Sequence, residues 1–210
     1  MTTVHLARHG ETVWHAENRY AGSTDVALTA RGREQGAKLA QWAARADIDV
    51  VAASDLSRAV ETAGAAANLL GLDPLIDARL REVDFGAGEG RTRAEMAELF
   101  PDGLSAFIAA PASSPLPGGE PGISAVTRGL EALAELTLIA GPGGTVLVVA
   151  HTTLIRLVLC RVLGLPIDEY RRRFPSLGNT TVTTLELPAT VDATALVAAG
   201  ALLRFNATPD

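Results

Sequence analysis

The chain has 210 residues, 48% of them hydrophobic, enough for one well-filled domain and too apolar for an intrinsically disordered chain. A net charge of −6 argues against a nucleic-acid binder. The single cysteine, Cys160, excludes an intrachain disulfide and a cysteine-built zinc site. No basic segment followed by a long apolar run opens the chain, and no stretch of about 18 uninterrupted apolar residues occurs. Neither a signal peptide nor a membrane span is expected, and the cytoplasm is the expected location.

Val4 and Leu6 mark a short buried strand ending in Arg8-His9-Gly10. Gly10 breaks the run and lets the backbone bend close to a ligand. Residues 13–28 are polar and read as a loop. Thr29 is a helix N-cap, followed by an apolar stripe at Leu39, Trp42 and Ala43 that reaches about Ala46. Residues 49–53 form a buried strand, and Ser54 to Arg58 turn into a helix that runs to Leu70 and stops at Gly71. A third strand falls at 74–76, a glycine-rich loop at 80–90, and a helix at 92–100 ended by Pro101. The proline- and glycine-rich segment at about 101–122 reads as an irregular flap with room for one short helix. Residues 123–139 form an amphipathic helix and 141–144 a turn. Thr145 to Ala150 is a strand whose unbroken apolar run predicts burial on both faces. His151 follows at once, then a helix over 153–163 in which Cys160 is a small buried hydrophobe. Arg171, Arg172 and Arg173 read as a solvated basic face. Residues 179–187 alternate like an edge strand, and 202–205 form a last strand.

Strands alternating with helices predict the α/β class, with a mostly parallel sheet between helical layers and no internal boundary. In such sheets ligands bind at the carboxyl ends of the strands. Arg8 and His9, the 54–58 segment and His151 all fall there. An arginine beside a histidine at a strand end makes an anion site. The sharper expectation is that His9 is a nucleophile towards phosphorus, because a phosphohistidine splits one displacement into two easier ones. Arg8 and Arg58 would clamp the phosphoryl oxygens, His151 would donate to the same group, and Glu82 would protonate the leaving alkoxide. His5 lies four residues before His9 in a strand, lacks the helical spacing of a zinc pair, and reads as packing. No metal-ligand cluster or nucleotide loop stands out, so no metal and no cofactor are expected.

These residues resemble the histidine phosphatase superfamily, the phosphoglycerate-mutase-like fold. The stretch from Leu6 to Gly22 is similar to its Arg-His-Gly signature and downstream phosphate loop. Three further segments resemble family motifs in the same order: Ser54 to Ala63, Leu80 to Gly90, and Val148 to Arg156. The resemblance covers about residues 4–187 and implies a three-layer α/β/α sandwich without metal. It implies His9 as the phosphorylated nucleophile, Arg8, Arg58 and His151 as the phosphate pocket, and Glu82 as proton donor. His15, Gly22 and Thr152 complete the expected phosphate-binding set. His15 departs from the family, which commonly has a phosphate-binding Asn there. A protonated His15 would strengthen phosphate binding at mildly acid pH.

The family contains both phosphatases and mutases. A mutase must hold a carboxylate and a second phosphate, and between Arg93 and Arg128 this chain has no Lys or Arg. The flap instead offers Leu104, Phe107, Ile108 and Leu116 to shield the site or touch an apolar part of a substrate. The expected activity is therefore hydrolysis of a small phosphorylated metabolite, with no nucleic-acid or membrane partner and a homodimer left open. The alternatives are a cofactor-dependent phosphoglycerate mutase and a non-catalytic phospho-ligand-binding module.

Overall fold

The computed structural model describes residues 1–209. The chain begins with strand β1 (Thr2–Arg8), then α1 (Ala30–Ala43), β2 (Val50–Ala53), α2 (Ser57–Leu70) and the two-residue β3 (Leu75–Ile76). Helices α3 (Arg93–Leu99), α4 (Pro101–Ala109) and α5 (Gly122–Ala140) lead to β4 (Thr145–Ala150). The rest is α6 (Thr152–Val162), α7 (Tyr170–Arg173), β5 (Val182–Leu187), α8 (Ala193–Ala199) and β6 (Ala201–Ala207). The strands make one six-stranded sheet in the order β3-β2-β4-β1-β5-β6. The first four are parallel to one another, whereas β5 and β6 pair antiparallel. The sheet is thus mixed.

The unbroken apolar run of β4 explains the layers. Val146, Val148 and Ala150 join the core formed with α5, α6 and α8, and Leu147 and Val149 join the core under α1 and α2. Val146, Leu147, Val148 and Val149 are all fully buried, each stabilising the fold by about 1.5–3 kcal/mol relative to exposure. Strand β1 alternates likewise: Val4 and Leu6 face one layer, while Ala7 packs in the other. His5 stacks edge-on against Trp42 of α1 at 5.0 Å, and its Nδ1 lies 3.0 Å from Thr184 Oγ1. Cys160 is buried.

Two segments depart from the sequence reading. The strand at 182–187 is interior, because β6 pairs along its outer side. Helix α8 gives no clear periodic signal and was not anticipated; its Leu196 is fully buried. The 101–122 segment holds one short helix, α4, and then irregular chain up to α5, as its composition suggests, but its apolar side chains turn inward. Pro101 sits at the first helical position of α4, where its missing N–H costs nothing, and Leu104, Phe107 and Leu116 are buried. Among the described residues, no helix is long and apolar enough to cross a membrane.

Candidate active site

Strand order brings the site together. β2, β4 and β1 are adjacent and parallel, with Arg8 opposite Ala150 and Ala53 opposite Val149. The residue after each strand therefore emerges at the same edge: Ser54, His151 and His9. The His9 N–H donates to Ala150 O at 3.0 Å, and the Ser54 N–H to Val149 O at 3.2 Å, extending both ladders past the strand ends. Gly10 fits this turn because a Cβ would collide with the backbone of Gly32 in α1; packing, rather than ligand approach, explains the glycine. Its N–H donates to Thr62 Oγ1 at 3.0 Å, and that hydroxyl donates to Arg58 O at 2.7 Å, joining α2 to the His9 turn.

His9 is buried, and its Nδ1 donates to Gly10 O at 2.7 Å. A carbonyl can only accept, so the ring proton sits on Nδ1 and the lone pair on Nε2. Burial first, then the Arg8 and Arg58 cations, hold the imidazole well below the usual histidine range, so it is neutral at pH 7. His151 lies 5.1 Å away, ring centroid to ring centroid, and is also depressed, by burial and then Arg58. Its Nε2 is 2.6 Å from Ser54 Oγ. Arg58 is fully buried at the start of α2 and reaches back to the 20–24 loop, donating to Thr24 O at 2.8 Å and Gly22 O at 2.6 Å. Among the described residues, Arg8 Nε, Arg58 Nε and His151 Nδ1 are buried nitrogens without a hydrogen-bond partner. All three belong to residues electrostatically coupled to His9. Buried polar groups left unmatched cost about 1–3 kcal/mol each, and an anion accepting from the two arginine nitrogens would remove that cost there.

Glu82 is buried against the N-terminus of α6. Its Oε1 accepts from the N–H groups of Val83 and Leu154 at 3.0 and 2.9 Å, and its Oε2 from Thr153 at 2.8 Å. Oε2 therefore keeps a lone pair that can carry a proton. Thr152, at the first position of α6, lines the same cavity as Arg8, His9, His15 and Glu82. Gly22 comes to the site in a different capacity from the expected phosphate contact. Its N–H donates to Glu89 Oε2 at 3.0 Å, while its carbonyl holds Arg58. A Cβ at Gly22 would strike Val83 O and the Glu89 carboxylate.

His15 also departs from expectation. Its Nε2 lies 2.5 Å from an Arg8 terminal nitrogen, Nη2, and 3.4 Å from Asn179 Nδ2. Both are donors, so Nε2 accepts. Nδ1 then carries the proton, with Thr12 Oγ1 at 2.8 Å to receive it. The Thr12 N–H, 3.0 Å from Nδ1, would favour the other tautomer, but the shorter contact to a charged donor decides. Burial, then Arg8, lowers the pKa of His15, which disfavours the cation expected at mildly acid pH.

The cavity has a volume of about 430 Å³. Its lining also includes Arg19, Tyr20, Phe85, Arg156 and Arg171, none of which was among the expected site residues. No residue of 101–122 lines it. The apolar flap residues instead support the wall. Phe107 packs on Phe85 and Tyr20, and the Arg171 guanidinium lies over the Phe107 ring at 4.4 Å. This corrects the reading of Arg171 as part of a solvated run and removes the inference that a cation-free flap leaves the pocket without further positive charge. Arg19 is paired with Glu17 and Glu95. Arg156 donates to neutral acceptors, Thr152 O at 3.0 Å and Phe174 O at 3.2 Å, and Arg171 to Tyr170 Oη at 3.0 Å. Arg19, Tyr20, Phe85 and Arg156 lie within segments that resemble family motifs, which was the available signal for them; Arg171 lies outside all four. Among the described residues, no group of three or more His, Cys, Asp or Glu could hold a metal ion.

Two histidines and two arginines, one of them fully buried, thus gather at the ends of three adjacent parallel strands of a layered α/β fold, an arrangement suited to an anion. Residues 4–197 match the histidine phosphatase superfamily (branch 1), and the chain belongs to that superfamily. It is 34% identical over 172 residues to the Enterobacter sp. (strain 638) protein named "Probable phosphoglycerate mutase GpmB", covering 82% of this chain and 80% of that one. Among solved structures, mycobacterial glucosyl-3-phosphoglycerate phosphatase superposes with a TM-score of 0.86 at 28% identity, covering 98% of each chain. YhfR from Bacillus stearothermophilus gives 0.82 at 29% identity, covering 92% of this chain and 99% of that one.

Proposed function

We propose that this protein is a metal-independent phosphomonoesterase that hydrolyses a small phosphorylated metabolite through a phosphohistidine at His9. The observation that carries the reading is the trio of buried, unmatched nitrogens on Arg8, Arg58 and His151 around a neutral His9 with its lone pair on Nε2. In the first step His9 Nε2 forms a bond to phosphorus as the ester P–O bond breaks. Glu82 passes a proton from Oε2 to the departing alkoxide. Arg8, Arg58, His151 Nδ1–H and the first turn of α6 at Thr152 stabilise the charge on the equatorial oxygens. In the second step water attacks phosphorus, Glu82 takes the water's proton, the P–N bond breaks, and phosphate leaves.

Hydrolysis is supported by the superposition, at 28% identity over 98% of each chain, on glucosyl-3-phosphoglycerate phosphatase, whereas the 34%-identical relative bears a mutase name. The second reading, a phosphoglycerate mutase, gains from the neutral partners of Arg156 and Arg171, which leave two guanidinium charges free for a second anion. The test is a phosphate-release screen over a metabolite panel, alongside incubation of 3-phosphoglycerate with its bisphosphate cofactor. Net phosphate release supports the hydrolase. Rapid interconversion of phosphoglycerates without release would replace it with the mutase, and no turnover of any phosphoester would leave a binding module.

A further inference from the structure

We propose that His15 is a positioning residue for Arg8: its neutral imidazole accepts from the guanidinium and holds it, with no bonded counter-charge, against the transferred phosphoryl group. The inference rests on the phosphate pocket proposed above and assigns His15 a role within it other than contact with phosphate.

Arg8 is held at two corners. One terminal nitrogen, Nη1, donates to Leu177 O at 2.8 Å and the other, Nη2, lies 2.5 Å from His15 Nε2. Both acceptors are neutral, so the guanidinium is oriented without a bonded counter-charge; the carboxylate that acts on it, Glu82, is held by backbone N–H groups instead. A carboxylate at either corner would compete with the phosphoryl group for the same charge. The remaining nitrogen, Nε, is buried and has no partner among the described residues. His15 is itself held from both ends. Thr12 Oγ1 lies 2.8 Å from its Nδ1, and Asn179 Nδ2 donates to His9 O at 2.9 Å while lying 3.4 Å from His15 Nε2. One imidazole thus links the backbone of the nucleophile to the orientation of the clamp.

The charged and titratable groups around His15 are Arg8, His9 with its ring 6.0 Å away, Glu11 in the same loop, and Arg58 from α2. Only Glu11 among them favours a protonated ring. Protonation would place an N–H where Arg8 already donates. The two cations cannot share that contact, so Arg8 must lose its corner. His15 therefore makes phosphate binding fall, not rise, as the ring takes up a proton.

The test compares wild type, His15→Ala and His15→Gln, because a glutamine carbonyl reaches the Nε2 position but does not titrate. Binding of inorganic phosphate is measured by calorimetry, and kcat and KM for p-nitrophenyl phosphate are followed from pH 8 to pH 4.5. His15→Ala should bind phosphate roughly 10- to 100-fold more weakly, the loss of a hydrogen bond to a charged group. His15→Gln should recover most of that loss, and the acid limb of its kcat/KM should lie at lower pH than the wild-type limb, mainly through KM. His9 and His151 titrate in all three proteins, so the difference between the limbs isolates His15. Coincident limbs, unchanged binding in His15→Ala, or wild-type binding that tightens in acid while that of His15→Gln does not would each overturn the proposal. If wild type binds no phosphate at any pH, the pocket reading itself fails and this inference falls with it.

Discussion

His151 Nε2 lies 2.6 Å from Ser54 Oγ, and this contact between the ends of β4 and β2 leaves Nδ1 as the unmatched nitrogen of a buried ring. Ser54 Oγ also lies 3.4 Å from the Leu56 N–H. With Ser54 donating to Nε2, the ring proton stays on Nδ1, where the proposed mechanism needs a donor. Ser54→Ala removes that preference without touching the phosphate. It should lower kcat by about tenfold, the worth of one hydrogen bond, and change KM little. Steady-state kinetics check this, and an unchanged kcat would mean that Ser54 does not set the tautomer.

Glu82 makes a second prediction through leaving-group chemistry. Glu82→Gln should cost about 10²–10⁴ in kcat on alkyl phosphates, whose alkoxide needs a proton. On p-nitrophenyl phosphate, whose leaving group needs none, the loss should be far smaller. Equal losses on both substrates would point to damage at the α6 N-terminus, where the carboxylate accepts from Thr153 and Leu154, and not to a missing acid.

Arg171 should matter to some substrates only. It lies over Phe107 and lines the cavity without bonding to Arg8 or Arg58 in any contact described above. Arg171→Ala should raise KM roughly tenfold or more for a phosphoester carrying a second anionic group, the cost of one charge-assisted contact. KM for a neutral aryl phosphate should hardly move. A kinetic panel with both substrate types decides between this and a purely structural role.

Stability should depend on pH with a defined sign. His9, His15 and His151 all have folded pKa values below 6.5, and His5 is pushed down to about 4 by burial and Arg204. The folded chain therefore refuses protons that the unfolded chain accepts. Stability should be flat above about pH 7 and fall as pH drops below 6.5, by up to ~1.4 kcal/mol per pH unit for each fully depressed histidine. Melting temperatures from pH 8 to pH 4.5 test this. A transition temperature that holds steady through pH 5 would contradict the buried, neutral histidines.

Much of the site was legible because its residues follow strands directly. Arg8-His9 and His151 sit at the ends of apolar runs, and parallel pairing of those runs places them together. Arg171 was not legible, because its role depends on Phe107, 64 positions earlier in the chain, folding under it. The flap misled for the same reason: composition marks Leu104, Phe107 and Leu116 as apolar but does not say whether they face ligand or core. Strand β5 looked like an edge because the alternation in Val182–Leu187 does not reveal that β6 lies beyond it. The partner of His15 was hidden too, since only the fold aligns its Nε2 with Arg8.

The central claim is that His9 carries the phosphoryl group during turnover. Wild-type protein is mixed with a phosphorus-labelled aryl phosphate, quenched in alkali within the first turnover, digested and mapped by mass spectrometry. The label should be stable in base, labile in acid and located on His9, and His9→Ala should neither acquire it nor release phosphate. A label on any other residue, or phosphate release by His9→Ala at the wild-type rate, would contradict the account.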